Sequence, residues 1–126
     1  MLRKKELLFQ LNKISSSLIY LPKFLSAQQP LYSQVLQELL NGKKTTHWMW
    51  FIFPQIEGLG HSLTAKYYSI KNIAEAKEYI AHPVLGKRLL ECASILSNIN
   101  GKSADEIFGY PDNMKLRSCI TLFNFV

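Results

Sequence analysis

Apolar residues along this chain recur at intervals of three and four, and that period belongs to helices. Leu31, Val35, Leu36, Leu39 and Leu40 form one such stripe, which Asn41-Gly42 closes. Pro30 suits its first turn, where the missing N–H costs nothing, and Lys43 and Lys44 follow where a helix end favours cations. Upstream, Pro22 to Gln29 predicts a short helix with Phe24 and Leu25 facing inward. Leu85, Leu89, Cys92, Leu96 and Ile99 line a face of a longer helix that Pro83 starts and Asn100-Gly101 ends.

Polar residues mark where the other helices begin. Ser62 predicts the cap of a helix running through Ile70, and Asn72 with Glu75 has the form of a capping box opening a helix to about Ala81. Ser103 and Glu106 repeat that form around a short helix closed by Gly109. Asp112, after Tyr110-Pro111, predicts the cap of a last helix carrying Leu116, Cys119, Ile120 and Phe123. Hairpin signals are nearly absent, so the expected fold is all-α, a single compact multi-helix domain.

One stretch resists the period. From Trp48 to Phe53 the chain reads WMWFIF, and six residues cannot separate helix from strand by spacing alone. No neighbouring segment supplies a strand partner, so a buried helix capped by Thr45 or Thr46 is the expectation. Pro54 to His61, with Gly58 and Gly60, predicts a loop.

Composition fits that picture. The 126 residues suit one core, and 48% hydrophobic with 19% charged residues is too apolar for disorder. No apolar run approaches the roughly 20 residues that span a bilayer. The opening MLRKKELLFQLNKI resembles a secretory leader, but Gln10, Asn12 and Lys13 interrupt its apolar part and no small-residue cleavage site follows. Leu7, Leu8, Leu11 and Ile14 instead share helical spacing. Residues 1–20 are therefore expected to form an N-terminal arm or appended amphipathic helix beside a domain over 21–126. A membrane-surface contact is the functional alternative for that arm.

The net charge of +6 is unevenly placed. Arg3, Lys4, Lys5 and Lys13 face only Glu6 within residues 1–20, which leaves the body mildly basic. No helix face carries the Lys/Arg stripe of a nucleic-acid footprint, so no specific nucleic-acid partner is expected. The two cysteines, Cys92 and Cys119, lack metal-ligand spacing; free, packed thiols in a cytoplasmic protein are expected, with no metal and no cofactor.

Four phrases in order, LPKFLSAQ, GKKTTHWMWFIFPQIEGLGHS, AHPVLGKRLLEC and IFGYPDNMKLRSCITLF, make the chain resemble a bacterial domain-of-unknown-function family whose members are often labelled calpastatin. The resemblance covers residues 21–126 and implies an all-helical fold; it carries no established activity. The label fails physically, since an inhibitor of that kind is a repetitive, polar, disordered chain. Thr46 stands where relatives usually show serine. Relatives also continue past the TLF phrase by about one helix of ordinary length, so the resemblance implies that this chain lacks a C-terminal helix.

For chemistry, the sequence offers candidates rather than a motif. HExxH, Walker and GxSxG patterns are absent. His47 and His82 are the candidate acids or bases, each with a structural alternative as a cap or a packed ring. Trp48 and Trp50 present flat faces that stack on ring-shaped ligands, while Gln55, Ser62, Tyr68, Lys115 and Ser118 supply polar groups from separate segments. Lys115 and Arg117 suit an anion. If these converge, they make a pocket for a small anionic ligand, nucleotide-like in shape. If they do not, the aromatics are core and the protein is a non-enzymatic interaction or structural module. Nothing in the sequence specifies a protein partner.

Overall fold

The computed structural model describes Arg3 and residues 21–126, and the amphipathic segment expected within residues 1–20 lies outside them. Eight helices follow: α1 (Pro22–Gln28), α2 (Tyr32–Leu40), α3 (Met49–Ile52), α4 (Leu63–Tyr67), α5 (Ile73–Ala81), α6 (Leu85–Ser97), α7 (Ala104–Phe108) and α8 (Asp112–Phe123). The described residues form no strand; a lone parallel bridge joins Ile56 to Ile70. None of these helices is long and apolar enough to cross a membrane.

Capping chemistry sets several starts. Ser62 and Asn72 accept hydrogen bonds from the backbone N–H of Ala65 and Glu75, and Ser103 and Glu106 form a complete capping box. α6 begins differently: His82 Nδ1 accepts from the N–H groups of Val84 and Leu85 at 3.1 and 3.2 Å. Two orphan donors at that helix start are thereby satisfied by an imidazole.

α6 packs between α5 and α2, α5 also meets α8, α7 meets α8, and α1 meets α3. The junction of α5 and α6 is tight enough to require glycine. A Cβ on Gly86 would lie 1.9 Å from the Ile80 carbonyl oxygen. Aromatic rings join the layers. Tyr79 of α5 meets Phe24 of α1 edge-on at 5.2 Å and Phe123 of α8 at 5.5 Å. Trp48, Phe53 and Phe108 form a second group with centroids 6.0 to 6.3 Å apart.

Several expectations need correction. In α2, Val35, Leu39 and Glu38 are buried while Leu40 is 64% exposed, so the buried face is narrower than the apolar stripe and includes a carboxylate. Ile120 of α8 is likewise half-exposed. α4 stops at Tyr67, because Ile70 is drawn into pairing with the 55–57 loop: its N–H donates to Gln55 O and its carbonyl accepts from Glu57 N, both at 2.8 Å. Asp112 makes no capping hydrogen bond; charge attraction turns its carboxylate toward two lysines instead.

Candidate functional site

Glu38 organises the site from beneath. Its side chain is buried, yet no ion pair reaches it among the described residues. It is satisfied by neutral donors. Thr45 N–H and Thr46 N–H donate to Oε1 at 2.7 and 3.0 Å, as does the Trp48 indole N–H at 3.0 Å. Thr46 Oγ1 and Gln34 Nε2 donate to Oε2 at 2.6 and 3.1 Å. Burial alone would push this carboxyl up, but the hydrogen bonds from Thr46, Thr45 and Trp48 outweigh it and bring it to about 2. The carboxylate stays ionised, and segment 45–48 is pinned across the end of α2. Gly42, at φ +69°, turns the chain out of α2 toward that segment.

Thr45 and Thr46 therefore give their N–H groups to Glu38, and α3 starts without a side-chain cap. The short α3 then sends its side chains two ways. Met49, Phe51 and Ile52 are buried, whereas Trp50 is only partly covered.

Trp50 faces the first turn of α8 across a cleft of about 380 Å³, lined by segment 44–47, Met49, Trp50 and residues 110–112 with Lys115. Lys115 Nζ sits 5.1 Å from the Trp50 ring centre, within cation–π range. Asp112 bridges two cations, with Oδ2 at 2.8 Å from Lys44 Nζ and Oδ1 at 3.4 Å from Lys115 Nζ. Lys44 Nζ also donates to the Thr46 carbonyl at 2.6 Å and lies 5.0 Å from the Trp48 ring. The lining is mostly polar and charged, with Met49, Trp50, Tyr110 and Pro111 as its apolar part.

The structure brings His47, Trp50 and Lys115 together and disperses the other sequence candidates. His47 is an exposed lining residue, and no hydrogen bond to its imidazole occurs among the described residues. Trp48 is 1% exposed and committed to Glu38, so it is core. His82 caps α6. Ser62 caps α4, and Ser118 donates to the Met114 carbonyl at 3.1 Å. Gln55 belongs to the loop paired with Ile70. Tyr68 packs against Phe24, Phe51 and Tyr67, and burial raises its hydroxyl above the ordinary range.

Lys44, Tyr110 and Asp112 join the site, and no sequence pattern marks them as its members. Tyr110 is 85% exposed and stands at the cleft edge beside Pro111. One sequence signal was available for the support beneath: Glu38 follows Val35 by three residues and so shares its inward face, where a carboxylate needs partners.

Two other depressions differ in character. A groove of about 600 Å³ among α5, α6 and α8 is lined mainly by apolar residues, including Leu90, Leu96, Ile120 and Phe123. A shallower one of about 330 Å³ holds Arg117 and Ser118 among Ile56, Leu59, Ile73 and Phe125. No group of metal-ligating side chains occurs among the described residues.

A family model described as a protein of unknown function, DUF1810, matches residues 19–126. A solved structure, that of the conserved hypothetical protein Rv1873 from Mycobacterium tuberculosis, is similar at 47% sequence identity with a TM-score of 0.82. The match covers 82% of this chain and 74% of that one. No curated protein matches the sequence.

Proposed function

Since this chain belongs to the DUF1810 family, whose function is unknown, we propose a function from its own geometry: the cleft between segment 44–50 and the start of α8 binds a small anionic ligand that carries a flat ring. One observation carries this reading. Trp50 is the tryptophan left partly open, and Lys115 sits 5.1 Å from its ring at the cleft. The uncovered part of the Trp50 ring takes a ring by stacking, and the ammonium takes the negative group. Pinning of segment 45–48 by Glu38 supports the reading, because a wall held before binding lowers the ordering cost. The two unpaired, buried thiols support a reducing, cytoplasmic setting.

A thermal-shift screen with nucleotides and aromatic carboxylates tests it. A ligand at 100 times its dissociation constant adds about 2.7 kcal/mol of stability. The expected result is stabilisation by at least one member, lost in Trp50→Leu and in Lys115→Met. Silence across the screen, with the protein folded, sinks the reading.

A second reading has its own observation. The apolar groove beside α6 leaves Leu90 62% and Ile120 51% exposed, which favours a non-enzymatic protein-interaction module. Binding that survives Trp50→Leu and is lost in Leu90→Asp would favour this second reading.

A further inference from the structure

The cleft's charges go further than "anionic": they indicate how many negative charges the ligand carries. Lys44 and Lys115 share one carboxylate, that of Asp112, and all three side chains are mostly covered, at 7%, 22% and 19% exposure. The sharing is unequal. Lys44 holds the close half at 2.8 Å, donates to the Thr46 carbonyl and lies near the Trp48 ring. Lys115 has the longer half at 3.4 Å and the Trp50 face. Lys115 is therefore the less fully neutralised of the two ammoniums and the one at the open cleft, while the ionised Glu38 beneath segment 45–48 adds a second negative charge to the surroundings. A partly desolvated ammonium whose counter-charge is distant and shared is incompletely compensated, so the site favours an arriving anion.

A second negative charge meets a different environment. Asp112 stands between the lysines, and like charges brought together in an enclosed site repel strongly. On the reading of this cleft as a ligand site, we propose that it selects flat-ring ligands bearing a single negative charge. The ligand's carboxylate-sized anion takes Lys115, Asp112 remains with Lys44, and the same Asp112 turns away di- and polyanions. A singly charged aromatic or heteroaromatic acid is the ligand class; nucleoside di- and triphosphates fall outside it.

A series on one ring separates charge from stacking. Ligand-observed NMR titrations with 2-naphthamide, 2-naphthoate and naphthalene-2,3-dicarboxylate compare zero, one and two negative charges. The expected order places 2-naphthoate at least about tenfold tighter than either of the others, a difference of roughly 1.4 kcal/mol. Asp112→Asn should bring the dicarboxylate level with the monocarboxylate, and Lys115→Met should erase the preference for acid over amide. A dicarboxylate that binds the wild-type protein as tightly as the monoacid overturns the inference and leaves the binding reading intact. Failure of all three to bind overturns it too; if the wider thermal-shift screen is also silent, the binding reading falls with it.

Discussion

Glu38 is the residue on which the site's shape rests. Its carboxyl lies far below its ordinary value, so its contribution is present above the unfolded value near 4.5 and disappears as pH falls toward about 2. Across that window the shift corresponds to stability on the order of 3 kcal/mol. Glu38→Gln can keep one acceptor for the Thr45, Thr46 and Trp48 N–H groups but replaces the other, which accepts from Thr46 Oγ1 and Gln34 Nε2, with an N–H₂, and it removes the charge that strengthens all five bonds. Urea unfolding should therefore find the variant less stable at neutral pH, by on the order of 2 kcal/mol, with the gap closing as the wild type is acidified through that window. An equal gap at both ends of the range would show that Glu38 titrates normally. The cysteines give a second test at this scale. Burial pushes the Cys92 thiol up to about 11 and that of Cys119 higher still. Native protein should react with Ellman's reagent at least about a hundredfold more slowly than protein unfolded in urea, because the thiolate is the reactive form. Comparable rates would place a thiol at the surface.

Helix starts show which part of the fold can be read locally. Ser62, Asn72 and Ser103 cap helices three residues or fewer from their partners, so their side chains announce the structure they make. Asp112 has the same look and a different fate. Its partner Lys44 lies far back in the sequence, and attraction between charges outweighs the capping geometry. The bridge that ends α4 early is similar, since the loop that captures Ile70 precedes the helix. Ser103→Ala should cost about 1 kcal/mol through loss of the capping box, measured by denaturant unfolding. Gly86→Ala should cost more, on the order of 3 kcal/mol, because the new methyl would meet the Ile80 carbonyl at 1.9 Å and the α5–α6 junction must open. A neutral Gly86→Ala would mean that the two helices sit farther apart than described.

At the scale of the whole molecule, helix content and the inward faces follow from period, while the cleft follows from distant segments meeting. The aromatic run looked like one feature and serves two purposes. Trp48 locks onto Glu38 inside the core, and Trp50, two residues on, turns outward to Lys115. Spacing alone cannot divide Trp48, just before this four-residue helix, from Trp50 inside it; the division depends on where α2 and α8 pass. Gln55, Ser62, Tyr68 and Ser118 resemble site residues by type alone, and the fold uses each elsewhere. Amide chemical-shift mapping on the labelled protein, titrated with 2-naphthoate, decides the central claim most directly. Shifts concentrated on residues 44–50 and 110–115, and absent from Trp50→Leu, are the predicted result. Shifts confined to the apolar groove around Leu90 and Ile120, or none at all, would contradict it.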